Sequence, residues 1–282
     1  MSEHGDAAGD DLMLRSVLLV GYGKLGSQLG QRLIDRGIRV AGLRRSAHVS
    51  ESRVQLIPFD LMQESADQLE AFDAMVITIT PSIGSPSFDD GYVRALQNLR
   101  RALPSIPART IFVSSTGVFD SEYGDEPITE LVHPEPRTKR SQTLLDGETV
   151  AKQLFNALIV RPTGIYGAER DFLIRKVLAG EPADFGRVTN RVHDVDLARA
   201  LERMLLSAHP PALVHAVDER PASLGEVVGF IASELGVPAP PRADSADSPR
   251  RVFDGSKFRE LLGALEYPSF EAGYRQMVAE RR

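Results

Sequence analysis

Residues 17 to 30 read VLLVGYGKLGSQLG, and this stretch decides the fold. Val17, Leu18, Leu19 and Val20 form a short apolar run, the pattern of a strand buried on both faces. Gly21, Gly23 and Gly26 follow at the G-x-G-x-x-G spacing, and Leu25, Leu29 and Leu33 then recur at helical intervals. A strand, a glycine turn and a helix in that order present backbone N–H groups to a pyrophosphate. Gly21 permits the tight turn, Gly23 lets a phosphate approach the backbone, and Gly26 is expected to let helix and strand pack closely. Gly21, Tyr22, Gly23, Lys24, Leu25 and Gly26 are thus the expected cofactor-binding turn of a dinucleotide site. The competing interpretation is three glycines in an ordinary α/β turn.

Working outward, Arg39 to Leu43 reads as the second strand, with Arg44 and Arg45 at its end. In a βαβ dinucleotide unit this position faces the adenosine ribose, where an acidic residue suits the 2′-hydroxyl of NAD and arginines suit the 2′-phosphate of NADP. Two arginines favour NADP over NAD, although either could simply face water. Val54 to Phe59 reads as a third strand closed by Asp60, which either caps the next turn or bonds adenine. Ala74 to Ile79 is a fourth strand, with Thr80, Pro81 and Ser82 at its carboxyl end, where open parallel sheets bind ligands. Gly84 to Asp90 reads as loop, and Tyr92 to Leu103 as a helix with Leu96, Leu99 and Leu103 on one stripe. Thr110 to Val113 is the fifth strand, ending in Ser114, Ser115, Thr116 and Gly117. Ser115 and Thr116 are placed to hydrogen-bond a substrate carbonyl or alcohol; such hydroxyls also cap backbone groups. Asp120 to Pro136, with Pro127, Pro134 and Pro136, is expected to be a long loop covering part of the active site. A helix from Thr138 to Leu154 and a strand from Phe155 to Val160 follow.

Composition narrows the function classes. The chain has 282 residues, 42% of them hydrophobic, enough for a sizeable core. A net charge of −6 argues against a general nucleic-acid surface. With no cysteine, disulfides, thiolate catalysis and Cys-based metal sites are excluded. No stretch is apolar for long enough to span a bilayer as a helix. Residues 1–12 are read as a flexible polar tail, and the protein as cytoplasmic with a small-molecule substrate.

Four segments in order then resemble the extended short-chain dehydrogenase/reductase superfamily, the group of NAD-dependent epimerases and dehydratases. They are GYGKLG at 21 to 26, SSTGVF at 114 to 119, RPTGIYG at 161 to 167 and NRVHDVDLA at 190 to 198. The superfamily's SSxxVYG, RPxxIYG and IHVxDLA patterns are their counterparts. The resemblance implies an α/β, Rossmann-type doubly wound parallel sheet with a small C-terminal substrate-side lobe. Residues 13–161 would form the dinucleotide-binding core, and 162–282 would complete it and form the lobe. It also implies an oxidoreductase or epimerase using NAD(P), with Ser115 and Tyr166 beside the reacting atoms. Gly186 to Arg191 would border the substrate, with Arg187 and Arg191 suited to phosphate or carboxylate. Many members pair through the helices flanking the serine strand, so a homodimer through the Tyr92 and Thr138 helices is compatible with the resemblance.

One departure stands out. Members carry YxxxK on the helix after the serine strand, a tyrosine acid–base and a lysine that lowers its pKa. Aligning Glu148 with the glutamate that commonly follows the lysine puts Arg140 and Leu144 at the dyad positions, and no tyrosine lies in residues 124–165. Tyr123, Tyr166, His133 and His193 are the substitute acids within the same region. The alternatives are a serine with bound water, or NADP binding without turnover. His193, Asp194 and Asp196 are read as braces at a helix start, not as a metal site. Ser223 and Glu226 have capping-box spacing before a helix to about Leu235. Gly236 to Arg250 reads as an exposed linker, and Phe253 to Leu262 and Phe270 to Val278 as short closing elements.

Overall fold

A computed structural model describes residues 13–45, 53–63, 68–83, 91–121, 123–243 and 250–281. The N-terminal tail, the Gly84–Asp90 loop and part of the Gly236–Arg250 stretch therefore lie outside the described residues. In chain order the elements are β1 (Ser16–Val20), α1 (Lys24–Asp35), β2 (Arg39–Arg44), β3 (Gln55–Pro58), β4 (Ala74–Ile77), α2 (Gly91–Ala102), β5 (Arg109–Val113), α3 (Lys139–Phe155) and β6 (Leu158–Pro162). Next come β7 (Gly164–Tyr166), α4 (Phe172–Leu178), β8 (Val188–Thr189), β9 (Arg191–His193), α5 (Asp194–Leu206), β10 (Leu213–Ala216), β11 (Ala222–Ser223), α6 (Leu224–Leu235), α7 (Ser256–Leu262) and α8 (Phe270–Ala279). A seven-stranded sheet has the order β10-β6-β5-β4-β1-β2-β3. Its pairings of β1 with β2 and β4, of β2 with β3, and of β4 with β5 are all parallel. This is the doubly wound, Rossmann-type sheet that the strand and helix alternation implies.

The chain forms two compact units: Met1–Ser114 with Thr143–Ile159 and Ala198–Leu213, and Ser115–Gln142 with Val160–Leu197 and Val214–Arg282. In the first unit β1 and β4 are buried along their whole length, as their apolar runs require. Each buried valine or leucine contributes roughly 1.5–3 kcal/mol. Asp73 aligns the start of β1 by accepting from Arg15 N, Ser16 N and Ser16 Oγ. Tyr92 on α2 packs edge-on to Phe112 of β5, and a Cβ on Gly147 of α3 would lie 2.7 Å from its ring. The strand expected from Phe155 starts later, at Leu158, because α3 runs on to Phe155 and Asn156 turns the chain at φ 51°.

In the second unit β7 and β9 pair in parallel, joining the RPTGIYG and NRVHDVDLA segments as Gly164–Arg191, Ile165–Val192 and Tyr166–His193. The capping box at Ser223 and Glu226 forms, and Gly236 closes α6 in the left-handed conformation. A core of Tyr166, Ile174, Val228, Ile231, Phe270 and Tyr274 joins the ribbon to α4, α6 and α8. Two expectations need correction. The stretch after Gly236 is not a free linker where it is described. Ala183 N donates to Pro241 O and Ala243 N to Ala183 O, so backbone pairing ties it down despite its prolines. The closing element expected from Phe253 is helical only from Ser256; Phe253 itself lies in an extended segment.

Candidate functional site

The glycine turn takes the expected shape, with altered roles for its residues. Gly21 has φ +81°, and a Cβ there would meet Ile79 and Thr78 at 3.2 Å. Gly21 N and Tyr22 N both donate to Leu43 O, at 3.1 and 2.8 Å, so these two N–H groups build the turn and do not face a phosphate. Leu25 and Gly26 fall in the first turn of α1, where N–H groups have no acceptor within the helix. Gly23 is exposed, and a Cβ there would meet only Gly21 O at 3.8 Å, leaving room for a close-approaching anion. Lys24 is exposed beside it. Gly26 does not serve direct helix–strand contact. A Cβ there would lie 3.2 Å from the Tyr22 ring, and one on Gly42 of β2 only 2.7 Å, so the two glycines make a slot for Tyr22. Thr78, not singled out by the sequence pattern, braces the turn through Oγ1 to Val20 O and Gly21 O.

The bonds to Leu43 O bring the end of β2 against this turn, placing half-buried Arg44 and exposed Arg45 next in the chain. Asp60 closes its own turn, Oδ1 accepting from Met62 N at 3.0 Å. Thr80 is exposed and Pro81 half-buried in a turn after β4, closed by Ile83 N to Thr80 O.

The second unit gathers the serine turn. Ser115 caps a short 3₁₀ turn, Thr116–Val118, its Oγ accepting from Gly117 N at 3.0 Å. That leaves the hydroxyl proton to donate outward. Thr116 Oγ1 donates to Pro162 O, and Arg161 lies over the Phe119 ring at 5.2 Å, so the SSTGVF and RPTGIYG segments brace each other. Asp120 then accepts from Arg137 N, Thr138 N and Ser141 Oγ at 2.6–2.8 Å. Its partial burial opposes ionisation, but these hydrogen bonds outweigh it and pull the pKa to about 2. The loop between is pinned by Ile128 N to Val252 O, Asp254 N to Ile128 O, and His215 N to the Glu130 carboxylate.

Arg187 is exposed. Arg251, just after the stretch read from sequence as linker, donates from Nη1 to Phe119 O at the end of the serine turn. Its pKa is lowered by burial, with Asp120 and Tyr123 acting the other way and the nearby Arg187 charge adding to the lowering. Arg191 is 5% exposed, lies over the Phe270 ring at 5.9 Å, and its charge acts on Tyr274 and Asp218. Tyr166 is 3% exposed; its hydroxyl donates to Ser269 O and its ring stacks on Tyr274 at 4.8 Å. Burial first, then the charge of Asp218, pushes its phenol far up. Of the remaining acid candidates, Tyr123 accepts from Glu135 N at 2.7 Å, His133 is exposed, and His193 stacks on Tyr267 at 3.7 Å. Burial lowers the pKa of His193 against the opposing charges of Asp194 and Asp196. Asp196 accepts from Glu266 N and Tyr267 N, bracing the segment as its place at a helix start suggests. Arg140 is exposed and Leu144 buried.

A glycine turn at the carboxyl end of β1, with the next strand's end bonded to it, defines a Rossmann-type dinucleotide-binding fold. Solved structures agree. A Methylobacillus flagellatus protein assigned as an NAD-dependent epimerase/dehydratase matches with TM-score 0.77 and 26% identity over 95% of this chain and 99% of its own. UDP-glucuronic acid 4-epimerase from Bacillus cereus, in complex with UDP-glucuronic acid and NAD, matches with TM-score 0.73 and 18% identity over 95% and 100%. A human epimerase family protein, SDR39U1 isoform 2 with NADPH, matches with TM-score 0.77 and 17% identity over 94% and 99%. No protein-family model matches the sequence, and no curated protein does. The fold is that of the NAD-dependent epimerase/dehydratase-like group of extended short-chain dehydrogenases/reductases. Among the described residues no helix is long and apolar enough to cross a membrane.

Proposed function

We propose that the protein is an NADP-preferring oxidoreductase of epimerase/dehydratase type acting on a small acidic carbonyl or alcohol, a sugar nucleotide included. The observation that carries this reading is the glycine turn, with Gly23 open to an anion and Arg44 carried to it by Leu43. The N–H groups at the start of α1 hold a pyrophosphate, and Arg44 and Arg45 hold a ribose phosphate by charge-assisted hydrogen bonds. The cofactor, when bound, supplies the hydride chemistry. The Ser115 hydroxyl donates a hydrogen bond to the substrate oxygen, strengthened by the Gly117 N–H that its Oγ accepts. Exposed Arg187, in the segment that borders the substrate by resemblance, holds the substrate's acidic group. Arg191, counted from sequence with Arg187, balances buried charge instead, and Tyr166 packs.

NAD or NADPH in the similar structures supports a nicotinamide cofactor, and UDP-glucuronic acid in one supports an acidic ligand. A second reading, NADP binding without turnover, is favoured by exposed Arg140 and buried Leu144 where the superfamily's dyad stands. Calorimetric titration with NADPH and NADH, then NADPH absorbance over a panel of acidic aldehydes and ketones, separates them. Tight NADPH binding with consumption supports the enzyme. Binding with a flat absorbance supports the second reading, and no binding of either dinucleotide overturns both.

A further inference from the structure

Tyr22 grips β2 twice. Its backbone N–H donates to Leu43 O at 2.8 Å, and its ring lies against Gly42, the residue before. A Cβ on Gly42 would stand 2.7 Å from both Cγ and Cδ2 of Tyr22 and 3.0 Å from its Cβ. On α1, a Cβ on Gly26 would stand 3.2 Å from Cδ2, and one on Gly30, a turn further along, 3.6 Å from Cε2. The ring is a wedge between the start of α1 and the end of β2.

The tightest of these approaches involve the root of the side chain. Cβ and Cγ stay in place when the ring turns about its own axis, so a methyl at Gly42 forces a new Tyr22 rotamer or a shift of β2. Gly42 lies in an extended strand, outside the left-handed region, so its backbone admits any residue and the ring alone demands glycine. Side chains alternate along a strand, which puts Arg44 on the same face of β2 as Gly42. Arg44 O accepts from Phe59 N at 2.9 Å, so the backbone that carries the guanidinium is held on that side as well. The width of the wedge therefore sets the gap between the start of α1 and Arg44.

We infer that Tyr22 is a positioning residue for cofactor choice, its ring fixing the gap between the helix start that takes the pyrophosphate and the Arg44 that takes the ribose phosphate. This inference rests on the NADP reading above. NADPH is held at both places at once, and charge-assisted hydrogen bonds weaken steeply when donor and acceptor are misaligned. NADH has no ribose phosphate, so the gap matters little to it.

The test is calorimetry of the full chain with NADPH and with NADH. Tyr22→Ala and Gly42→Ala are each expected to weaken NADPH by about tenfold and NADH by less than about twofold. Tyr22→Phe keeps the ring and is expected to keep the wild-type preference within about twofold. Gly42→Ala in the Tyr22→Ala background is expected to change NADPH affinity by less than about twofold, because the added methyl no longer meets a ring. A role confined to stability would lower the unfolding midpoint and leave the ratio of NADPH to NADH affinity unchanged, and that result overturns the inference. Loss of the preference in Tyr22→Phe assigns the effect to the hydroxyl and overturns it too. Should Tyr22→Ala fail to fold, Gly42→Ala and Tyr22→Phe decide alone: preference lost in the first and kept in the second supports the inference, and any other pair of results refutes it. Arg44→Ala separates the inference from its basis. If wild type does not prefer NADPH, or Arg44→Ala keeps the preference, the ribose-phosphate reading falls and the inference with it. If Arg44→Ala abolishes the preference while Tyr22→Ala and Gly42→Ala retain it, the positioning role alone is refuted.

Discussion

The sites proposed in the two compact units are built in opposite ways. In the first, the site is backbone: a run of six residues, Gly21 to Gly26, presents N–H groups by its conformation, and its side chains mostly serve the turn. In the second, the proposed site is side chains drawn from separated places, Ser115 and Arg187 among them, with Ser115 Oγ held by Gly117 N. A backbone site tolerates wide sequence change outside its glycines. A side-chain site depends on each long-range bond that aims it, so single substitutions remote in sequence reach it.

The largest effect should come from the backbone site. Gly23→Val adds side-chain atoms where only Gly21 O stands near, so the chain should fold normally while NADPH affinity falls by about 100-fold or more as the approach of the phosphate is blocked. Unchanged calorimetric affinity in a variant with native circular dichroism would remove the cofactor assignment. In the other unit, Ser115→Ala should lower kcat by about 100-fold, the scale of one lost donor to a reacting oxygen, with NADPH affinity unchanged. Equal losses in kcat and NADPH affinity would show that the serine acts on the cofactor, and the contrast between the two sites would narrow.

Cofactor choice gives a smaller effect. Replacing Arg44 and Arg45 together by alanine should weaken NADPH by about tenfold and NADH by less than about twofold, because only NADPH loses charge-assisted bonds. Parallel losses would mean that the arginines do not meet a ribose phosphate. A last effect is on stability alone and concerns Asp218, 3% exposed in the second unit. Burial lifts its pKa from 3.8 to about 7, against the opposing Arg220 N–H and Arg191 charge. The folded chain then keeps a proton that the unfolded chain releases, so stability falls as pH rises between 3.8 and about 7 and is unaffected below. Asp218→Asn should flatten that slope and leave the chain more stable than wild type at pH 8. Denaturant unfolding at pH 5 and pH 8 measures it; a slope that survives in the variant assigns the proton elsewhere.

What the sequence determined by itself was local. The apolar run at 17–20, the G-x-G-x-x-G spacing, the strand and helix alternation and the Ser223–Glu226 cap each depend on neighbours within a few residues, and each is present in the structure. The four ordered segments carried the fold class for the same reason. Only the tertiary structure decided which N–H groups of the glycine turn remain for a ligand, because Leu43 O, some twenty positions on, takes those of Gly21 and Tyr22. It also decided that Gly26 and Gly42 make room for Tyr22. Arg187 and Arg191 look equivalent in sequence, yet the first is exposed and the second is buried with Tyr274 and Asp218. Arg251 had no signal at all, lying after a proline-rich stretch with no periodic pattern. Its place is set by bonds to Asn190, Ile128 and Phe119, and hydrogen bonds across such separations leave no mark on the order of neighbouring residues.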